Sequence, residues 1–218
     1  MIVRDYMTKH PVMIESGRSV VEAQAVMAET GVRHLPVIEE GKRLVGLVTQ
    51  ETLRIHPSRL SSLNVWEITR FLSEMTVKDA MVRGTDVVTI GPNATIEEAA
   101  QVMVDRKIGC LPVLEEGIVV GILTDIDMMA HLMELMSAQT PGVRTTVRME
   151  SGKAGELAKL VAAVAAQGWG IAALGGAVAP RDPSKWDAVI KLSGIPKEKV
   201  VAVLGSVKGQ QIIDVREV

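Results

Sequence analysis

Hydrophobic and polar positions along this chain change period several times, and each change marks an element. A short apolar stretch, Val12–Ile14, predicts a strand. Ser19 then precedes a run in which Val20, Ala23, Val26 and Met27 recur at helical spacing. Ser19 can cap that helix, and Gly31 can close it in the left-handed conformation. "HLPVIEEGKRLVGLVT" (34–49) follows as strand, acidic-glycine turn and strand, with a second helix expected after Thr49. The same series then returns. Val88–Ile90 is the strand, Thr95 the cap, and Ile96, Ala99, Val102 and Met103 the helical face. "CLPVLEEGIVVGILT" is the strand pair, with a helix after Thr124.

The repetition extends to wording. "VRDYM" at 3–7 recurs as "VKDAM" at 77–81, "VRHLPVIEEG" at 32–41 as "IGCLPVLEEG" at 108–117, and "GLVTQET" at 46–52 as "GILTDID" at 121–127, offset by 74 to 76 residues throughout. A repeat this long is a copied domain rather than a solenoid unit. Each copy reads β-α-β-β-α, with repeat 1 at 1–55 and repeat 2 at 77–138. So small a sheet can bury its apolar face by pairing with the other copy. Between them, 56–76 reads as a Pro/Ser-rich loop and an amphipathic helix (Val65, Ile68, Phe71, Leu72, Met75), a spacer or a dimer contact.

Residues 143–218 carry another pattern. "RTTVRME" alternates as a strand, "AGELAKLVAAVAAQ" is a helix, and "GWGIAALGGAV" and "KWDAVIKLSG" are strands joined by "APRDPS". "PKEKVVAVLGSV" is a helix with Pro196 near its first turn, and "QQIIDVRE" closes as a strand. The order βαββαβ is the ferredoxin-like plan. The fold class expected for the chain is α/β (α+β): two repeats packed as a pseudo-twofold pair, then a ferredoxin-like domain.

Composition narrows the function. The chain has 218 residues, 47% hydrophobic and 23% charged, with a net charge of −2. Up to Gly142 it holds 13 Lys+Arg against 19 Asp+Glu, net −6; beyond it, 11 against 7, net +4. The halves differ in sign, but neither is a polybasic surface, so nucleic acid is not expected as a partner. The five aromatic residues, Tyr6, Trp66, Phe71, Trp169 and Trp186, are too few for a base-stacking platform. The single Cys110 lies in a strand expected to be buried and has no obvious activating neighbour. One cysteine and an N-terminus without an apolar signal core fit a cytoplasmic protein. Residues 160–179 are uncharged and long enough to span a bilayer, but four glycines divide them into helix, turn and strand.

No Ser/His/Asp set, P-loop or dinucleotide fingerprint stands out, so no enzyme and no cofactor is expected. His10, His56 and His131 make no metal-ligand pattern. The methionines at helical spacing read as core or dimer contacts.

The stretch that invites chemistry is "GILTDID". A glycine-led turn from strand to helix would offer free backbone N–H groups and a positive helix end, a place for an anion. Thr124 could donate to a phosphate oxygen. Asp127, one turn further on, could accept from both hydroxyls of a ribose. The same Thr-x-x-Asp is also a capping box variant, with no ligand involved.

Two copies of an apolar–x–Leu-Pro-Val strand, an acidic turn and Gly-x-x-Thr resemble a pair of CBS domains, the Bateman module. The likeness covers about two thirds of the chain. The linker beginning "HPSRLSSLNVWEITRFL" is similar to that of the acetoin-utilisation AcuB-type subgroup. The resemblance implies that the Gly-x-x-Thr-x-x-Asp turn of one copy faces the early strand and the Leu-Pro-Val strand of the other. Val12, Val32 and Arg33 would then oppose Ile122, Thr124 and Asp127, with Arg33 and His34 available near phosphate. The mirror pocket would use Thr49, Val88 and Ile108. There Thr52 replaces the carboxylate, so one good nucleotide site and one weaker one are expected.

"KAGELAKLVAAVAAQGWGI" resembles the first loop and helix of ACT domains, with Ala154 where such domains usually carry proline. That implies an effector loop around Gly155 and Leu157, without specifying a ligand. The expected function is a non-catalytic regulatory module binding AMP, ADP or ATP, homodimeric through the repeats or the ACT-like domain, and acting on that domain or on a protein partner. The alternatives are a scaffold that binds no nucleotide and a sensor of S-adenosyl compounds.

Overall fold

A computed structural model describes residues 1–54, 66 and 74–218. Packing divides the chain into two units, Met1–Met128 and Met129–Val218. The expected linker helix falls almost wholly outside the described residues.

The first unit holds both repeats, except that the last helix of repeat 2 runs on past Met128. Repeat 1 comprises α1 (Val3–Tyr6), β1 (Thr8–Lys9), β2 (Ile14–Glu15), α2 (Val20–Thr30), β3 (His34–Glu39) and β4 (Arg43–Thr49). Repeat 2 comprises α3 (Val77–Ala80), β5 (Val82–Arg83), α4 (Ile96–Arg106), β6 (Cys110–Glu115), β7 (Ile118–Thr124) and α5 (Asp125–Leu135). The caps do what the sequence asks of them. Ser19 with Glu22, and Thr95 with Glu98, close reciprocal capping boxes, satisfying donors that the first helical turn would leave bare. Gly31 ends α2 with φ 72°. The strand pairs β3–β4 and β6–β7 are antiparallel, with equivalent irregularities at Val37/Ile38 and Val113/Leu114.

The repeats exchange their leading segments. β1 pairs with β7 of the second repeat, Thr8 opposite Ile122, and β5 pairs with β4 of the first, Leu47 opposite Val82. Val3 is fully buried with Ile96, Leu111 and Leu123, while Val77 is fully buried with Val20, Leu35 and Val48. Backbone bonds fix the exchange: Val3 N donates to Ala94 O at 2.9 Å, and Val77 N to Arg18 O at 2.8 Å. Each apolar core therefore draws on both repeats.

This explains the glycine of each Gly-x-x-Thr. The sequence reading puts Gly121 at the head of a turn, but it lies within β7. A Cβ there would come within 2.9 Å of Met7 Cγ, and one on Gly46 within 2.7 Å of Val82 O and 2.9 Å of Met81 Cγ. The glycines make room for the exchanged methionines, a close approach that a strand side chain would block.

The second unit contains β8 (Val143–Glu150), α6 (Glu156–Ala165), β9 (Ala173–Ala179), β10 (Asp182–Leu192), α7 (Lys197–Gly205) and β11 (Gln211–Glu217). Its sheet runs β11-β8-β10-β9, all antiparallel. This βαββαβ order is the split βαβ plan. β8 alternates cleanly, with Val143, Val147 and Met149 buried among Leu160, Val164, Ile190, Val200 and Leu204. The uncharged stretch 160–179 is the end of α6, a turn and β9. Among the described residues, no helix is long and apolar enough to cross a membrane.

Candidate functional site

The paired repeats leave two clefts related by the internal repeat. The first encloses about 310 Å³ and is lined by Val12, Val32, Arg33, His34, Ile122 and Thr124, together with Thr8, His10, Pro11, Gly31 and Ile126. Six of the seven residues expected at the nucleotide site thus surround one cavity; Asp127 does not line it. The second cleft encloses about 550 Å³ and brings together the expected Thr49, Val88 and Ile108. The weaker-looking pocket is the roomier one.

At the first cleft β7 runs into α5. Asp127 Oδ2 accepts from Thr124 N at 2.8 Å and from Thr124 Oγ1 at 2.7 Å, and Asp127 N donates back to Thr124 Oγ1 at 3.3 Å. Asp125 N donates to Gly109 O at 3.0 Å, and Ile126 N to Asp125 Oδ1 at 2.9 Å. The sequence reading expects free N–H groups here for an anion; instead, the donors from Thr124 to Asp127 are satisfied inside the chain. A phosphate would therefore depend on side chains or would have to displace these bonds. Among the described residues none donates to Asp127 Oδ1, which leaves that oxygen for a ligand hydroxyl.

The equivalent turn of repeat 1 has the same backbone with different chemistry. Thr52 Oγ1 accepts from Thr49 N at 2.8 Å and donates to Thr49 O at 3.1 Å. Its one proton is committed, and a single lone pair remains. The cap survives the change from acid to hydroxyl, but little capacity is left for a sugar.

Charge in the clefts comes from residues that the motif does not include. Arg33 and His34 line both cavities, and Asp125, Asp86, Glu51 and Lys107 line the second. Arg33 Nη2 lies 3.4 Å from Asp125 Oδ1. Burial pushes the His34 imidazole below its ordinary pKa, and neighbouring Arg33 adds to this, outweighing the opposite pull of Asp125. Burial likewise drives the Cys110 thiol up to about 12, with Asp125 contributing, so it is protonated at neutral pH. The counterparts of the expected residues at the repeat offset include Leu47, Gly109 and Cys110 on the second wall, but none of Glu51, Asp86, Lys107 or Asp125.

In the second unit, Gly155 caps α6 with φ 84°, and Leu157 is partly exposed. Between them Glu156 is almost fully buried, a residue that the sequence reading passes over. Lys159 Nζ donates to Glu156 Oε1 at 2.8 Å, Gln210 Nε2 to its backbone oxygen at 2.6 Å, and Lys153 Nζ lies 3.3 Å away. The hydrogen bond from Lys159 is the main influence holding this carboxyl at about 2. Among the described residues, no cluster of His, Cys, Asp or Glu could hold a metal ion.

The profile of the CBS domain family matches residues 3–57 and 77–134, more than half of the chain. The chain belongs to the CBS domain family, whose members are generally regulatory modules. Among curated proteins it is similar to the uncharacterized protein MJ1225 of Methanocaldococcus jannaschii, with 30% identity over 60% of this chain and 46% of that protein. It is also similar to inosine-5'-monophosphate dehydrogenase of Korarchaeum cryptofilum, with 34% identity over 58% of this chain and 22% of that one. The chain thus spans less than half the length of these two relatives.

Several solved structures resemble the repeat pair. A Vibrio cholerae protein designated AcuB, for acetoin utilization, superposes with a TM-score of 0.52 at 32% identity, covering 64% of this chain and 95% of that one. CBSX2 in complex with AMP gives 0.51 at 26%, covering 61% and 96%. The CBS pair of protein MJ0100 in complex with 5'-methylthioadenosine and S-adenosyl-L-methionine gives 0.50 at 25%, covering 61% and 95%.

Proposed function

We propose that this chain is a cytoplasmic, non-catalytic regulatory module that binds an adenine nucleotide, AMP, ADP or ATP, in the first cleft. The observation that carries this reading is Arg33 at a cavity walled by Val12, Val32, Ile122 and Thr124, with Asp127, which does not line the cavity, hydrogen-bonded to Thr124 at its edge. The carboxylate would accept from the ribose diol, the guanidinium would meet the phosphate, and the aliphatic strands would flank adenine. The AMP complex of CBSX2 supports the ligand class. Binding regulates only if the ligand favours one arrangement of the repeats over another. The second unit, an ACT-like domain in this reading, or a protein partner would receive the change, with Gly155 and Leu157 on its effector loop. A homodimer is the expected assembly.

A second reading, an S-adenosyl sensor, is favoured by the satisfied N–H groups at the start of α5, which leave no ready backbone cradle for phosphate. Such ligands lack the phosphate and would not need Arg33. A thermal-shift series with AMP, ADP, ATP, 5'-methylthioadenosine and S-adenosylmethionine separates the readings. Ligand at about 100 times its Kd should stabilise the fold by roughly 2.7 kcal/mol. AMP should act on the wild-type chain and weakly on Arg33→Gln, whereas an adenosyl sensor would ignore that change. A chain that shifts with none of the five is a scaffold.

A further inference from the structure

The wall between the two clefts is asymmetric. Arg33 and His34 line both cavities, but their counterparts in repeat 2, Gly109 and Cys110, line only the second. Gly109 contributes no side chain, and a Cβ at that position would sit 3.4 Å from Asp125 Oδ2 and 3.9 Å from His34 Cε1. A Cβ there would make ordinary van der Waals contact with both residues, so the position sits directly against Asp125 and His34. One guanidinium therefore serves two cavities.

Arg33 rests 3.4 Å from Asp125, with both side chains about half exposed (52% and 51%). An ion pair so open to water is weak, so Arg33 can leave Asp125 at little cost. The cavities depend on it unequally. Among the described residues lining the first, Arg33 is the one Lys or Arg, and there is no carboxylate. In the second, Glu51, Asp86 and Asp125 stand against Lys107 and Arg33. Once Arg33 turns to an anion in the first cleft, three carboxylates face Lys107 alone, and Asp125 has lost its cationic partner. Like charge then opposes an anion entering the second cleft. His34 cannot replace the missing cation, because burial keeps its imidazole neutral near pH 7.

We infer that Arg33 couples the two clefts antagonistically: an anionic ligand held in the first weakens binding of an anionic ligand in the second, while a neutral ligand leaves the second unaffected. This rests on the adenine-ligand reading above. Coupling between sites commonly spans 5- to 150-fold, and one redistributed cation among three acids should give at least about 10-fold.

Calorimetric titration of the full chain with AMP and with adenosine, on wild type, Arg33→Gln and Arg33→Lys, tests it. In the wild type, the two AMP affinities should lie at least tenfold further apart than the two adenosine affinities. In Arg33→Gln the tighter AMP site should weaken, while the weaker one, facing three acids with Lys107 alone whether or not the first cleft is filled, should stay near its wild-type value, so the AMP separation narrows. Arg33→Lys, which keeps the charge, should retain the separation. An AMP separation no greater than adenosine's, one that stays as wide in Arg33→Gln, or one ligand per chain in every variant overturns the coupling alone. No heat with either compound overturns the nucleotide reading and the coupling together.

Discussion

Met7 occupies the space above Gly121 that a side chain on the glycine would need, and Met81 stands in the same relation to Gly46. A Cβ on Gly121 would fall 2.9 Å from Met7 Cγ. Gly121→Ala should therefore drive the Met7 side chain out of its place and destabilise the first unit by about 1–3 kcal/mol, the usual cost of overpacking. In thermal denaturation this reads as a fall of several degrees. Gly17, with no atom within 4 Å of its virtual Cβ, should tolerate alanine with far less loss.

The turns at 124–127 and 49–52 share a backbone and differ in their acid. Asp127→Ala should cost about 0.5–2 kcal/mol as a lost cap, and adenine-ligand affinity at the first cleft should fall with it. Thr52→Asp should keep the cap and give the turn beside the roomier cleft the carboxylate that Asp127 supplies to its own turn. Calorimetry should then show adenosine binding more tightly at the second cleft, while the first stays as it was. An unchanged second cleft would mean that sugar recognition does not run through this position.

Glu156 makes the second unit acid-sensitive. Its folded pKa, about 2, lies below the ordinary 4.5, so its contribution to stability is complete above about pH 4.5. That contribution is lost as pH falls from 4.5 through 2. Urea midpoints should place the wild type above Glu156→Gln at pH 7, with the gap closing as pH falls over this window. A gap constant with pH would show that the carboxyl is not held by its charge.

Cys110 should be inert. With the thiol near 12 and the side chain almost fully buried, modification by a disulfide reagent at pH 8 should be slow. The rate should rise sharply on addition of denaturant. Fast reaction of the native chain would show that β6 opens locally.

The repeated units were legible because their hydrophobic period, caps and strand pairs recur at one offset, and Ser19, Thr95 and Gly31 do what their types suggest. The exchange was not, because "VRDYM" and "VKDAM" fit either copy equally well, and only the buried positions of Val3 and Val77 show which core each enters. The Thr-x-x-Asp turn was visible as a motif, yet its spacing cannot tell a cap from a ribose acceptor; the hydrogen bonds show the cap and leave one oxygen open. The shared wall of Arg33 and Asp125 was hidden because the two residues lie on different repeats and meet only after pairing. Glu156 was passed over because "KAGELAK" reads as a solvated helix start, and its burial depends on Gln210 arriving from a distant loop.

The crossing of β1 onto β7 also sets an order of events during synthesis. Thr8 emerges from the ribosome long before Ile122, its antiparallel partner, exists. The first strand must therefore wait, unpaired, until nearly all of the first unit has been translated, a high-contact-order closure that slows folding. Neither repeat can reach its final core alone, and a chain interrupted between them should yield two halves that become ordered only on meeting.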